Sequence, residues 1–273
     1  MEELRAAIAI GKKDLMVLSR YRIAVISQIF TPLYQGVIPA FLFGAAFAVG
    51  GRAVGLDATV GTENLAGFIF LGGVISGLVA TSFWSMAMGL RNEMDAGTLE
   101  PVWLTPTRHE TLVVGRALGG IVWFLISQVV LFAIGIVVFG LRFDATIVLA
   151  LPALVVAIVG MVGVAYLLAG IVLLIRDANF FIDCTNFLFG VASGVAFPVT
   201  LLPGLFQVVA LLLPTTYAMD LLRQYAIGAR PTFDPRLEYA GLILTTLVLY
   251  PLGQRFFARA DRIMRVRGSL SQF

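Results

Sequence analysis

Residues 117–141 read ALGGIVWFLISQVVLFAIGIVVFGL, a run of 25 residues without a single Asp, Glu, Lys or Arg. A helix needs roughly 20 apolar residues to cross a bilayer. Because each unpaired backbone group costs several kcal/mol in hydrocarbon, a run of this length must be helical there. The stretch therefore predicts a membrane-spanning helix.

Five further charge-free gaps repeat this pattern. They lie between residues 22 and 52, 63 and 91, 144 and 176, 183 and 220, and 238 and 255. The last gap has only 16 residues and suffices if Arg255 extends its charged end to the headgroups. Charged residues form 13% of the 273 residues, about half the share of a soluble domain, and the mean hydropathy is +0.96. We predict an all-α integral membrane protein with six transmembrane helices.

One transmembrane domain, 1–273, accounts for the whole pattern. Its spans cover about 23–49, 65–90, 111–139, 146–175, 181–198 and 238–257. Residues 1–22 carry apolar side chains at helical spacing, with Arg5, Lys12 and Lys13 largely off that stripe. This favours an N-terminal amphipathic interfacial helix, with a soluble juxtamembrane helix as the alternative. Five glycines in the second span predict close packing among neighbouring helices.

The stretch between Asp183 and Asp220 holds 36 uncharged residues, too many for one span and too few for two with a loop. Prolines at 198, 203 and 214 interrupt it. We predict a re-entrant helical pair between spans five and six, followed by an outer interfacial helix from Thr215 to Gly228. The alternative is a bent, oversized fifth span with a loose loop.

Basic residues give the orientation. Six spans place both termini on one side, and a cytoplasmic assignment collects 14 of the 19 Lys and Arg residues there. We predict a multi-pass protein of the cell inner (plasma) membrane with both termini cytoplasmic. The basic tail Arg259–Arg267 favours contact with anionic membrane lipids. Topology explains the net charge of +3 without a nucleic-acid partner, and the lone Cys184 forms no internal disulfide.

The loop after span two reads RNEMDAGTLEPVWLTPTRHE over residues 91–110. Gly97 ends the preceding helix, Thr98 caps a new one, and Thr105-Pro106 stops it, so we predict a short helix over about 98–104. Residues 107–110 form a capping box that starts span three. The short helix carries Leu99, Val102, Trp103 and Leu104. Exposed apolar groups of this kind mark a protein contact, although Trp103 also suits an anchor in the headgroups.

The pattern E-x-x-x-G-T-L-E-x-x-x-x-T-P at 93–106 resembles the ABC-2 type permeases, in particular the drug-exporter and nodulation-factor exporter group. The segment LPTTYAMDLLR at 213–223 looks like a second element of that family, and the resemblance covers essentially the whole chain. It implies that the short helix is a coupling helix seated in a groove of a separate ABC ATPase subunit. The contact residues it implies are Glu93, Gly97, Thr98, Leu99, Glu100, Pro101, Val102, Trp103, Leu104 and Thr105.

The motifs that the sequence lacks also favour a permease whose ATP is bound and hydrolysed by a separate subunit. The chain has no G-x-x-x-x-G-K-[ST] phosphate loop, so we predict no enzyme activity and no cofactor of its own, with ATP and Mg held by the partner. His109 is the only histidine, too little for a metal or catalytic cluster, and we interpret it as solvated or partner-facing. No carboxylate lies deep inside a predicted span, whereas a proton-coupled antiporter is expected to carry buried ionisable residues there. An antiporter is therefore the least favoured class of transporter.

We therefore expect a permease that pairs with a second, identical or homologous permease subunit. It would export an amphiphilic or lipid-like compound, such as a drug, antibiotic or lipid. Aromatic residues that could line its path, each of which also fits ordinary packing, are Phe68, Phe70, Phe83, Trp84, Phe187, Phe189 and Phe197. The alternatives are a polysaccharide or glycolipid exporter and a non-transporting membrane assembly protein.

Overall fold

The computed structural model describes residues 2–31, 33, 37–38, 48–49, 52–53, 60–62, 64–175, 178–195 and 197–267. In chain order the elements are α1 (Glu2–Arg20), α2 (Arg22–Thr31), β1 (Ala48–Val49), β2 (Arg52–Ala53), α3 (Leu65–Asp95), α4 (Leu99–Trp103), α5 (His109–Phe139), α6 (Ala145–Leu174), α7 (Ala178–Ala192), α8 (Gly204–Leu211), α9 (Pro214–Ile227) and α10 (Pro235–Arg267). Residues Thr81–Ala87 of α3 form a π-helix, and 3-10 turns open α6 and precede α8. Apart from the two-residue strands, the described elements are helical, as predicted.

Four helices, α3, α5, α6 and α10, are long and apolar enough to cross a membrane. They correspond to predicted spans two, three, four and six. The most apolar part of α3 is 72% buried, against 28%, 44% and 22% for the other three in chain order. The helix whose glycines predicted close packing is therefore the central one.

The other two predicted spans have different outcomes. The first, 23–49, lies partly outside the described residues, and α2 covers its start. Its predicted end is wrong, because residues 48–49 form β1, which pairs antiparallel with β2. The fifth, 181–198, ends early: α7 has 15 residues and stops at Ala192, because Gly194 takes a left-handed φ of +73°.

The segment between α7 and α10 contains a bent pair of half-helices. α8 and α9 meet at 89°, the geometry of a broken span or a re-entrant loop. The predicted outer interfacial helix is wrong in its setting, because α9 is the second half of this pair and most of its residues are buried. Gly228 ends α9 with φ +64°, as predicted. Thr215 does not cap it; Leu213 is the N-cap, and the Thr215 hydroxyl pairs with the Ser193 hydroxyl at 2.6 Å.

The bundle has two distinct ends. At one, which we call the α4 end, both α1 and the last turns of α10 contact the segment around α4. At the opposite end the loops meet through backbone hydrogen bonds from Asp144 N to Ala226 O (3.0 Å) and from Arg230 N to Val60 O (2.7 Å). The first and last described helices thus share one end, as a six-span topology requires.

The backbones of α6 and α10 touch at a pair of glycines. A Cβ on Gly253 would lie 2.1 Å from Gly163 O, and one on Gly163 would lie 2.6 Å from Tyr250 Cα. Such close approach lets helices pack in lipid, where no hydrophobic force drives them together. This crossing fixes α10 against the rest of the bundle.

We expect Gly253→Ala to destabilise the protein, because the opposing Gly163 carbonyl cannot move aside without separating the helices. Overpacking of this kind typically costs about 1–3 kcal/mol. The control is Gly190→Ala in α7, where no atom lies within 4 Å of the added Cβ. Thermal unfolding in detergent should show a lower midpoint for Gly253→Ala alone, and equal midpoints would contradict the crossing.

Candidate functional site

A glycine-based cap ends α3 and turns the chain into the loop. Gly97 has a φ of +66°, and nothing lies within 4 Å of where its Cβ would be. Its N–H donates to Met94 O, and the Thr98 N–H donates to Glu93 O, both at 3.0 Å. These two bonds form a Schellman motif, which requires the left-handed residue that glycine supplies. The predicted helix end at Gly97 is confirmed.

The Glu93 carboxylate joins three parts of the α4 end. Its Oε1 accepts from Lys13 Nζ of α1 at 2.6 Å and from Arg116 Nη2 of α5 at 2.7 Å. Its Oε2 accepts from the hydroxyl of Thr98, the residue expected to cap α4. The Lys13 side chain is 55% exposed, so screening weakens its pair, whereas that of Arg116 is only 11% exposed. Arg116 is therefore the stronger brace on the start of the loop.

The amphipathic helix α1 packs its small residues on α5. A Cβ on Gly11 would lie 2.9 Å from Gly115 O, so the two backbones are in contact. Leu4 and Ile8, beside this face, are 63% and 53% exposed. α1 thus has one face against protein and an adjacent apolar edge available to lipid, which fits an interfacial helix.

The start of α5 is capped from α1. Glu3 Oε1 accepts from Arg108 N at 3.3 Å, and Glu3 Oε2 accepts from the Thr111 hydroxyl. The bond from Thr111 lowers the pKa of the Glu3 carboxyl, which favours its charged form at the positive end of the helix dipole. The predicted capping box at 107–110 is wrong, because the N-cap is Arg108 and its side chain makes no cap bond.

Two apolar side chains of α4 point into the protein. Leu99 is 4% exposed and Trp103 is 7% exposed, so Trp103 is not an anchor in the headgroups. The Trp103 indole Nε1–H donates to Asp261 Oδ1 at 2.8 Å. Because Asp261 lies in the last turns of α10, this bond attaches the short helix to the last span.

His109 completes the attachment. Its ring stacks on Trp103 at 4.5 Å between centroids, and its Nδ1 lies 3.0 Å from Asp261 Oδ1. Arg265 Nη2 lies 2.8 Å from the other carboxylate oxygen. The expected solvated or partner-facing His109 is therefore wrong: it lies beside the loop but is packed, with its side chain 15% exposed. We call Trp103, His109, Asp261 and Arg265 the α4 lock.

The residues that the resemblance assigned to an ATPase contact divide into two groups. Glu93, Leu99 and Trp103 face inward, in the contacts given above. The outward group is exposed and consists of Gly97, Thr98, Pro101, Leu104 and Thr105, with Val102 half-buried. Leu104 is the most prominent, at 81% exposed, and the side chain of Glu100 lies outside the described residues. The contact stays a prediction, and the outward group is its candidate surface.

At the end of the bundle opposite α4, the Arg223 side chain hydrogen-bonds to the backbone just after α7 ends. Its Nη1 donates to Gly194 O and its Nη2 to Val195 O, both at 2.7 Å, with a longer bond of 3.3 Å to Phe68 O. Its guanidinium carbon also lies 3.3 Å from the centre of the Phe68 ring. Arg223 is only 4% exposed. It thus supplies donors to the carbonyls of Gly194 and Val195, which follow the end of α7.

A cavity of about 480 Å³ lies beside Arg223. Its charged lining residues are Asp220, Arg223, Arg230 and Glu238, and apolar walls include Phe68, Val199, Leu211, Met219 and Phe233. Glu238 is 1% exposed although it stands only three residues after the start of α10. Buried ionisable groups are therefore present at the span ends, which sequence hydropathy alone did not indicate.

The seven aromatic candidates for a path also divide. Phe68, Phe70, Phe83 and Phe189 are buried in the chain, and Phe83 packs edge-on against Phe189 at 5.1 Å. Trp84, Phe187 and Phe197 are 44%, 73% and 54% exposed. Trp84 lies in the π-helix of α3, a distortion that is common at functional sites. A path role stays a prediction for all seven.

Sequence reasoning missed Asp261, Glu3 and Arg223. Asp261 is the one acid in the basic tail Arg259–Arg267, and a lone acid among arginines is a signal for a specific partner. Arg223 follows a stretch broken by prolines, where freed carbonyls require donors. Glu3 carries no local signal, because its partners lie more than 100 residues away.

Most of the chain matches a known protein family. A family model described as ABC-2 type transporter matches residues 5–227, which include α1, α4 and the bent pair. Asp261 and Glu238, both in α10, lie beyond the matched range. No curated protein matches the chain.

Proposed function

The chain belongs to the ABC-2 type transporter family, and from this premise we propose that it is the permease subunit of an ATP-binding-cassette exporter. A separate ATPase subunit would drive export of an amphiphilic compound from the cytoplasm. The observation that carries the proposal is α4, a short helix with an exposed outer face, held between α3 and α5 and locked to α10.

Rigidity suits α4 to transmit force. The Glu93 contacts brace its start, and the α4 lock fixes its end to the last span. A displacement of α4 would therefore move three helices together, because packed elements transmit strain with little loss. An unbraced loop would absorb the same push.

The outward group supplies a surface for the ATPase. Leu104 projects from its end, and an apolar side chain with 81% exposure gains free energy when a partner groove covers it. The α4 end carries α1 and the basic tail, so we place it in the cytoplasm of the cell, with the protein in the inner membrane.

A second permease subunit completes the assembly. Trp84, Phe187 and Phe197 each keep a large exposed fraction among the described residues. Facing such a surface on a second copy, identical or homologous, they would border an apolar path suited to amphiphilic cargo. Phe68, Phe70, Phe83 and Phe189 are buried, and in this proposal they pack behind the path.

Leu104→Asp tests the ATPase contact. The side chain is exposed, so the permease should fold normally, with a stability change within about 0.5 kcal/mol. If Leu104 fills a pocket on the ATPase, its loss should cost about 2 kcal/mol of binding, roughly 30-fold in Kd. Association is measured by titrating the purified permease with its partner ABC ATPase.

Val266→Asp is the matched control, because Val266 is 82% exposed and lies on the basic tail at the same end. It should bind the ATPase as the wild type does. Unchanged affinity of Leu104→Asp, together with unchanged stimulation of ATP hydrolysis, would remove α4 from the contact.

A further inference from the structure

The cavity at the opposite end contains two carboxyl groups in close proximity. Asp220 comes from α9 and Glu238 from α10, and the two carboxyls lie within hydrogen-bonding reach of each other. One oxygen of each is fixed by the intervening loop: Thr232 N donates to Asp220 Oδ2 at 2.7 Å, and Phe233 N donates to Glu238 Oε1 at 3.1 Å. The loop therefore holds both acids in place.

The second oxygen of Glu238 has no such partner. Glu238 Oε2 is buried, lines the cavity, and accepts no hydrogen bond from any group in the described part of the chain. Buried carboxylate oxygens without donors are costly, so a group retained in this state indicates a missing donor.

Arg223 does not fill this role. Its two terminal nitrogens are committed to the carbonyls of Gly194, Val195 and Phe68. Its charge offsets part of the negative charge of the pair, yet it makes no hydrogen bond to either carboxyl among the described contacts. A donor that lies outside the described residues would satisfy Glu238 Oε2.

The shape and lining of the cavity indicate the rest of the ligand. About 480 Å³ is in the range of small-molecule sites, which combine apolar walls with a few convergent polar groups. Phe68, Val199, Leu211 and Phe233 supply such walls. An alkylammonium group matches this chemistry, because its three N–H donors can reach two carboxyls while its apolar body meets the walls.

We infer that this cavity binds an organic primary amine with an apolar body, and that the carboxyls of Glu238 and Asp220 hold its ammonium group. Glu238 lies 23 positions before Asp261 in one helix, about 35 Å at 1.5 Å per residue. Since a bilayer core is about 30 Å thick, the site lies on the membrane face opposite α4. The site does not depend on the proposed role of α4.

Thermal unfolding of the purified permease, without any ATPase, tests the site. The probes are octylamine, which is cationic near neutral pH, and octanol, which has the same chain length and no charge. A ligand that binds only the folded state raises the unfolding midpoint. Octylamine should raise it in a saturable way and octanol should not. Equal effects of the two probes, or an equal effect of the same concentration of NaCl or CaCl₂, would overturn the assignment.

Two variants locate the effect. Glu238→Gln keeps the shape but removes the charge, and it should weaken octylamine binding about tenfold or more, as expected for loss of a charge-assisted hydrogen bond. Asp220→Asn should act in the same direction. The control Asp144→Asn removes an exposed carboxylate at the same end and should bind octylamine like the wild type. Full octylamine binding by both Glu238→Gln and Asp220→Asn would overturn the proposal. The comparison of octylamine with octanol on the wild-type protein decides the matter even if neither variant folds.

Discussion

Replacing Arg223 with methionine should abolish accumulation of folded protein, whereas Arg142→Met should leave it unchanged. Arg223 is buried and donates to three backbone carbonyls, while Arg142 is exposed in the loop at the same end. The carbonyls of Gly194 and Val195, which follow the end of α7, would lose their donor at about 1–3 kcal/mol each, and the two together approach the lower part of the range for the whole stability of a typical domain, about 5–15 kcal/mol.

An apolar replacement of a buried charge is sometimes neutral, when both partners are replaced together. Here the partners of Arg223 cannot be replaced together with it, because they are the backbone carbonyls of Gly194, Val195 and Phe68. Arg223→Lys should fail as well, since a single ammonium group cannot reproduce the planar fork that spans these acceptors.

Size-exclusion chromatography of the detergent-solubilised protein, followed by thermal unfolding, measures the effect. The expected result for Arg223→Met and Arg223→Lys is aggregated or absent protein, with a normal peak for Arg142→Met. A monodisperse Arg223→Met protein that unfolds within a few degrees of the wild type would show that the break after α7 does not need this side chain.

Local chemistry was readable from the sequence. Gly97 and Thr105-Pro106 predicted a short helix over 98–104, and α4 spans Leu99–Trp103. The signals are short-range: a residue that tolerates a positive φ, and a proline that the preceding residue must accommodate. The same logic placed the end of α9 at Gly228.

Long-range partners were not readable. Trp103 and Asp261 are 158 residues apart, and an exposed-looking apolar side chain on a short helix gives no sign of a distant carboxylate. Leu99 and Trp103 were therefore assigned to the partner-facing surface although they are buried. Periodicity fixes which residues share a face, and only tertiary packing decides which face is covered.

The misplacement of α9 has a similar cause. The prediction rested on Thr215 as the cap and Gly228 as the end of a separate helix, and neither signal reports whether the helix is buried. Hydropathy counts a charged residue as exposed unless a partner is known, and the partners of Arg223 include the carbonyl of Gly194, which follows the end of α7. A cation just after a proline-broken apolar stretch is the sign that would have corrected the prediction.

Asp261→Ala should loosen α4 and uncouple it from α10. Asp261 is 5% exposed and accepts from the Trp103 indole, with the His109 ring nitrogen at 3.0 Å. Its removal leaves the buried Trp103 indole N–H without its acceptor, at about 1–3 kcal/mol, and takes away the partner of His109 Nδ1. The α6–α10 crossing lies elsewhere, so the bundle itself should remain folded.

Amide hydrogen exchange over residues 98–105 measures this loosening. Local opening that becomes easier by about 1.4 kcal/mol accelerates exchange roughly tenfold, and Asp261→Ala should reach at least that factor. Trp103→Phe keeps the stack on His109 but lacks the indole N–H, so a smaller acceleration is expected. Asp183→Ala, which removes an exposed carboxylate from α7, is the control and should exchange like the wild type.

The Asp261→Ala variant should impair the transfer of force from α4 to α10 without impairing ATPase binding. The outward group, with Leu104 at its end, is untouched in Asp261→Ala, so the ATPase should still associate. When the ATPase displaces a loosened α4, α10 would no longer move with it. The amount of compound transported per ATP hydrolysed should therefore fall severalfold. If exchange over 98–105 stays at the wild-type rate, the α4 lock does not hold the helix. If exchange accelerates while transport per ATP is unchanged, the force must reach the spans through the Glu93 contacts with Arg116 instead.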